Sequence, residues 1–341
     1  MTENNAVSGF KTIIGQPLPV RLLQTFLRNT ALPHALLFTG PPGVGKRTAA
    51  RAVAMALNCR ERGISPGDAC GCCQPCRQIA SDHHPDILLI EPQRDYLRID
   101  QIRKLLVTLS MKPFSAEQRV VIIAEAQAMN PEAANALLKV LEEPPENTTL
   151  ILTALQKSDL LPTIISRCRH IRFNPLRPED VTLLLRRTPE IADEFVETAA
   201  SLSDGSFTKA RQLALPAWQD RRNWLLRACG LNIRLPDGHP SLAPALAFAA
   251  QLAQRKEQIQ DLLAILSTWL RDLMIYPYHP ALVINSDQRV LLDKVRAGLD
   301  DTRLLAMWQA VEKAQKDIAA KANLRLTLDI MVLHMAGQAV H

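Results

Sequence analysis

Aromatic residues are scarce in this sequence, 4% of the chain, whereas Leu and Ala recur throughout, a balance that predicts mainly helical structure. Long hydrophobic runs are missing as well. Gly238 to Gln254, as long as any stretch without charge in the chain, is shorter than a bilayer span and is interrupted by Pro240 and Pro244. The opening residues MTENNAVSGF lack the basic-then-apolar order of a secretory signal. Membrane-spanning and secreted classes are therefore not expected, and a cytoplasmic location is. Repeats and low-complexity tracts are absent. Neither sign of charge dominates: 40 basic against 34 acidic residues leave +6, which permits contact with nucleic acid without demanding it. Twenty-eight of the 40 are Arg, the side chain suited to forked contacts with phosphate or carboxylate. A disulfide framework is also unsupported, because the 7 Cys are odd in number and adjacent Cys72 and Cys73 cannot both join relaxed bridges.

What is present divides into three segments. The 341 residues, 47% hydrophobic and 22% charged, suit an ordinary globular chain of two or three domains. From residue 1 to about Asn174, short apolar runs alternate with helical patterns. His34 to Thr39, Asp86 to Ile90, Val120 to Ile123 and Thr149 to Thr153 are strand candidates. Continuous apolar strands separated by helices predict a parallel sheet covered on both faces. Past Pro175 the strand signals nearly vanish. A small helical stretch over 175–215 is broken at Asp204-Gly205-Ser206, as a helix stop followed by a new start would be. A wholly helical segment follows over 216–341. There Ile259, Leu262, Leu263, Leu266, Leu270 and Leu273 repeat with helical spacing, and core packing is the simple account of the stripe.

Gly40-Pro41-Pro42-Gly43-Val44-Gly45-Lys46 follows the first strand candidate and precedes a helical run, the context a phosphate-binding P-loop needs. Glycines let backbone N–H groups turn around phosphates, and Lys46 reaches the outer ones. Gly40, Gly43, Gly45, Lys46 and Thr48 are thus candidate contacts for ATP or ADP. The Ser or Thr that should follow the lysine and ligate magnesium is missing. Arg47 stands there, and Thr48 comes one place late, about 100° round a helix. A second contact is lost where an ATPase of this kind places Asp-Glu after an apolar strand, since this chain has Ala124-Glu125. Two losses of metal contacts in one site predict nucleotide binding at most, without efficient hydrolysis.

Cys70, Cys73 and Cys76 place three thiols in seven residues, with Cys59 eleven residues upstream. Tetrahedral zinc takes four soft ligands, so Cys59, Cys70, Cys73 and Cys76 form a candidate closed, structural Zn2+ site. His83 and His84 are possible substitutes for Cys59, although His84-Pro85-Asp86 reads more naturally as the entry to a strand. Cys72 is a spare thiol. A nucleic-acid-binding knuckle is the other reading. Residues 59–76 contain Arg60 and Arg62 but no aromatic residue for base stacking, which favours stabilisation of a protein contact surface.

With these residues on view, the chain resembles the AAA+ clamp-loader subunits of bacterial DNA polymerase III. The resemblance rests on Ile14-Gly15-Gln16, like that group's adenine-side box, and on Ala134-Asn135-Ala136-Leu137-Leu138-Lys139 followed by Leu141-Glu142-Glu143-Pro144-Pro145. It rests also on Leu161 to Cys168, which holds the group's Ser-Arg-Cys box. The likeness is strong from about Ile13 to Phe173, weak over 175–215 and faint near Asn323-Leu324-Arg325-Leu326. It implies an α/β AAA+ P-loop domain over 1–174 with a zinc module inserted around 59–76. A helical lid over 175–215 and an all-α collar over 216–341, through which the ring assembles, complete the implied architecture. It further implies Thr153 as the first nucleotide sensor. The lid position that should hold a sensing Arg holds Thr208, with Lys209 adjacent. Arg167 becomes the candidate arginine finger, offered in trans to a neighbour's nucleotide, with Arg169 the nearby alternative and a surface ion pair the structural reading of both.

The expectation drawn together is a non-hydrolysing scaffold subunit of the DNA polymerase III clamp loader. Its implied partners are gamma/tau motor subunits and delta in a pentameric ring, and the sliding clamp and primer-template DNA through that assembly. The helix around Ala133 to Lys139 is the segment the resemblance turns toward DNA. Nothing in the chain resembles a nucleotidyl-transfer site with paired metal-binding carboxylates, so polymerase activity would belong to the holoenzyme. An ATP-hydrolysing motor subunit and an autonomous DNA-binding module are the alternatives.

Overall fold

Strands β1 (Ala35–Thr39), β2 (Ile87–Ile90), β3 (Arg119–Ile123), β4 (Thr148–Ala154) and β5 (Arg169–Arg172) form one parallel sheet in the order β2-β3-β4-β1-β5. The structure is a computed structural model and describes residues 9–61, 66–93, 96–233 and 242–337. Helices α1 (Pro17–Arg28), α2 (Lys46–Asn58), α3 (Gln74–Ala80), α4 (Ile99–Leu109), α5 (Pro131–Glu142) and α6 (Pro162–Ile165) alternate with the strands. Every residue of the inner strands β1, β3 and β4 is buried, as a sheet covered on both faces requires. The pleat sends alternate residues of β1 to opposite sides. Leu36 and Phe38 join a core with Phe10, Val53 and Met55 of the α2 side, while Ala35 and Leu37 join Ile102, Leu105 and Leu137 of the α4 and α5 side.

The fifth strand was not among the sequence candidates. It pairs with β1 along one edge, and of its residues Arg169-His170-Ile171-Arg172 only Ile171 is buried. A strand with one core residue writes no apolar run. Its arginines also discourage further pairing at the sheet edge.

A buried ion pair ties the loop before β3 to the start of β2. Asp86 accepts hydrogen bonds from the backbone N–H groups of Phe114 (2.8 Å), Ser115 (2.8 Å) and Ala116 (2.9 Å), and faces Arg119 at 3.6 Å. Burial alone would raise the Asp86 carboxyl, but the three N–H groups and the Arg119 charge outweigh it and hold it below the usual carboxylate value. A depressed folded value means that this stabilisation is complete above the unfolded value, about pH 4, and is lost as the pH falls through the folded one. Asp86→Asn is therefore expected to cost about 3 kcal/mol at pH 7, because Arg119 is left buried without its counter-charge. Urea unfolding followed from pH 7 to pH 3 checks this. The gap between wild type and variant should narrow in acid, and a constant gap would contradict it.

Contacts divide the chain into two compact units. One runs to Thr188 and includes Ser203–Ala210; the other holds Pro189–Leu202 and the chain from Arg211 onward. Helix α7 (Pro178–Arg186) belongs to the first and α8 (Asp193–Leu202) to the second, and the boundary falls within α9 (Phe207–Leu213), after Ala210. Asp204 (φ 51°) and Gly205 (φ 75°) make the turn that separates α8 from α9. A Cβ on Gly205 would lie 2.6 Å from the Leu176 carbonyl oxygen, so the close approach excludes any other residue.

The second unit continues with α10 (Pro216–Ile233), α11 (Leu242–Ala253), α12 (Ile259–Ile275), α13 (Arg289–Arg296), α14 (Asp301–Ala319) and α15 (Leu324–Met335). The uncharged stretch of the sequence starts outside the described residues and continues as α11. The apolar stripe on α12 is core: all six of its residues are buried, together with Trp269. At its centre lies a polar network that periodicity does not reveal. Arg222, 1% exposed, forks onto Asp287 at 2.7 and 2.8 Å and onto the Asn285 side-chain oxygen at 2.6 and 3.1 Å. Asp272, fully buried, accepts from Asn285 through both its backbone and side-chain nitrogens. Among the described residues, no helix is long and apolar enough to cross a membrane.

Candidate functional site

The P-loop leaves the carboxyl end of β1, and parallel register brings Thr153 of β4 opposite Phe38 there. Ligands of open α/β sheets bind at this edge. Gly45 is the left-handed residue (φ 96°) from which α2 starts at Lys46. The ammonium of Lys46 turns back and donates to the carbonyl oxygens of Gly40 and, at 2.7 Å, of Pro41. Burial lowers Lys46 to about 8, and the charge of Glu125 opposes the shift. Glu125 itself adopts left-handed backbone (φ 52°), and its N–H donates to the Thr153 hydroxyl at 3.1 Å. Lys46, Glu125 and Thr153 thus meet at one place.

The altered positions are occupied by other interactions. Arg47 pairs with Glu91, just beyond β2, at 2.5 Å. Thr48 is half-buried one position further along α2. Ala124 is buried, its N–H bonded to the Ile90 carbonyl at 2.9 Å. The start of α9 packs directly on the loop: the Phe207 N–H donates to the Gly43 carbonyl oxygen at 3.1 Å. A Cβ at Gly43 (φ 70°) would fall 2.6–2.7 Å from Thr208 and from the Ser206 hydroxyl. Thr208 therefore lies against the loop, whereas Lys209 points away to Asp204 at 2.6 Å. Gln16, 2% exposed, knits this region together. Its amide donates to the carbonyls of Val44 (3.3 Å) and Asn174 (2.7 Å) and accepts from the Asn174 N–H (3.2 Å).

Arg167 follows α6 and does not join the loop residues. Its guanidinium pairs with Glu142 at 2.7 Å and donates to the Thr163 carbonyl at 3.0 Å, with the side chain 35% exposed. Arg169 is an exposed residue of β5. The helix expected to face DNA is α5, capped by Asn130, which accepts from the Ala133 N–H at 3.0 Å.

The end of α2 and the start of α3 gather the thiols. One ligand atom from each of Cys59, Cys70, Cys73 and Cys76 lies within 4.8 Å of the others. A metal held at about 2.3 Å by four sulfurs needs sulfurs about 3.8 Å apart, and Cys70 and Cys76 stand at 4.0 Å. Backbone N–H groups point at the sulfurs, from Cys70 to Cys59 at 3.4 Å and from Cys73 to Cys70 at 3.3 Å. Such donors stabilise thiolates. A compact set of four soft donors fits zinc, and none of the four is in a disulfide. His84 is buried, and its Nδ1 accepts from the Asp86 N–H; His83 is exposed. Arg62 lies outside the described residues. Asp68, which sequence reasoning missed, anchors the knuckle. Its carboxylate accepts from the N–H groups of Phe10 and Ala69, both at 2.8 Å. Glu91 and Asp68 carry no motif, and Glu142, although it lies in the Leu141 to Pro145 run, has no role there that sequence reasoning assigns; contacts single out all three.

Strand order, loop and lid contact together define a P-loop domain of the AAA+ class. Within that class the chain belongs to the family of DNA polymerase III delta' subunits. A chain of that description from Pseudomonas aeruginosa is 33% identical over 316 residues, covering 89% of this chain and 92% of the relative. A Bacillus subtilis delta' subunit is 38% identical over 166 residues, 49% of this chain and half (50%) of the relative's length. The family model described as DNA polymerase III, delta subunit, matches residues 15–177. A solved Thermotoga maritima protein related to the gamma subunit aligns over 93% of this chain and 98% of its own, at 18% identity and a TM-score of 0.43.

Proposed function

We propose that this chain is the stationary subunit of the DNA polymerase III clamp loader, a wall of the ring and not one of its motors. The observation that carries the reading is Arg47. A cation paired to Glu91 occupies the helix position from which a hydroxyl would ligate magnesium, and Ala124 removes the second metal contact. Magnesium bridges and neutralises the phosphates in this chemistry, so a site without its ligands retains a fold and loses an engine. Any ATP or ADP would meet Lys46 and Thr153 without that metal.

In this role the collar over 216–341 docks the chain beside gamma/tau and delta, the start of α9 in the lid over 175–215 caps the loop through Phe207 and Thr208, and Arg167 faces the neighbour's nucleotide. The sliding clamp and primed DNA are reached through the assembly, in the cytoplasm. Zinc in the Cys59, Cys70, Cys73 and Cys76 set serves structure, since four protein ligands leave no open position for chemistry.

ATP turnover by the isolated chain with magnesium is the direct test. The expected result is no phosphate release above background, together with co-purification with gamma/tau and delta. Brisk turnover by the chain alone would make it a motor subunit instead.

A further inference from the structure

One group of potential metal ligands among the described residues is left over from the centre described above. Glu61, Cys70 and Cys72 each place one ligand atom within 4.8 Å of the other two. Cys70 belongs to both groups. Glu61 and Cys72 are exposed and Cys70 half-buried, so this second group opens to solvent beside a first group that is partly enclosed. We propose that Glu61, Cys70 and Cys72 form a second, exchangeable site for a soft divalent cation such as zinc, joined to the four-cysteine centre through the Cys70 sulfur.

The donor types suit such a cation. Two thiolates and a carboxylate are ligands that zinc accepts, and three protein ligands leave a fourth position for water. A thiolate has lone pairs enough to bridge two metals. Electrostatics favour the second ion: four thiolates around one divalent cation leave a net charge of about −2, to which Cys72 and Glu61 add two more negative groups. Exposure and the open position make the second ion labile while the first, held by four sulfurs, stays. Cys72 then ceases to be a spare thiol in the knuckle and becomes the terminal ligand of the outer site.

The inference rests on the four-cysteine centre filling first, and the two readings fail separately. The full-length chain, freed of metal under reducing conditions, is titrated with zinc and its metal content measured after equilibrium dialysis. Cobalt titration gives the thiolate-to-metal absorption bands in parallel. Wild type should bind about two equivalents at saturation, of which a mild chelator removes one. Cys72→Ser should stop at about one, lose the cobalt bands of the second equivalent and unfold at the wild-type temperature, because the residue is exposed. Glu61→Gln should weaken the second equivalent about tenfold or more and leave the first unchanged. A wild-type chain that saturates at one tight equivalent overturns the outer site alone, as does a Cys72→Ser chain that still reaches two with unchanged affinity. A chain that binds no tight equivalent overturns the four-cysteine centre and the outer site with it.

Discussion

Arg167→Ala, introduced into the reconstituted loader, should lower ATP hydrolysis at the neighbouring motor site by about a thousandfold, the lower end of what an arginine finger supplies. The finger acts by placing a fixed positive charge where the transferring phosphoryl group becomes more negative, so its loss raises the barrier without altering nucleotide binding to the same degree. Arg167 is 35% exposed, lies just beyond a short helix, and is aimed by Glu142 at 2.7 Å and the Thr163 carbonyl at 3.0 Å. Held by Glu142, Thr163 and the Ser166 hydroxyl, it loses little side-chain entropy on meeting a phosphate. The variant should still fold and assemble, because a half-exposed ion pair contributes about 1 kcal/mol or less. Single-turnover hydrolysis stimulated by clamp and DNA is the measurement. An unchanged rate in an intact assembly would transfer the role elsewhere, with Arg169 the first candidate.

The second large effect concerns the cysteines. With zinc in the four-cysteine set, as proposed, its removal by a chelator or the replacement of Cys76 by Ser should destabilise the first unit by several kcal/mol, since a structural zinc site holds folding free energy outright. Cys59 and Cys76 are buried within the same core as Phe10, Val53 and Met55, so the knuckle is part of that core and not an appendage. Released sulfurs would leave four thiolates in contact or four thiols in a space shaped for a metal. The disturbance has a defined route. Asp68 fastens the knuckle to the Phe10 N–H at 2.8 Å, and the chain from Phe10 leads to Gln16, which holds Val44 and Asn174. Hydrogen exchange should therefore show loss of protection in residues 9–16 as well as in 59–80 after chelation. Protection retained in 9–16 would confine the role of the metal to the knuckle itself.

These expectations differ in how much of each could be read from residues alone. The inner strands were legible because full burial on two faces demands unbroken apolar runs, and β1, β3 and β4 have them. The stripe on α12 was legible for the corresponding reason on a helix. β5 was not, since an edge strand with one buried residue leaves no periodic trace. The polar anchors were hidden more deeply. Asp86 meets residues 28 to 33 positions away, and Arg222 meets Asn285 and Asp287 more than 60 positions on. No local pattern encodes such partners.

By itself the sequence determined the kinds of chemistry available: a phosphate loop without its magnesium hydroxyl, a Glu without its Asp, four thiols at knuckle spacing and an Arg in a family box. Those are matters of which functional groups exist and how far apart they lie along the chain. Only the tertiary structure decided what each group does with its neighbours: Arg47 on Glu91, Lys46 folded onto its own loop, Thr208 against Gly43, Arg167 aimed by Glu142. The reason is range. Turns, caps and ligand spacings are set over a few residues, whereas ion pairs and close packing need surfaces that meet only after the chain has folded.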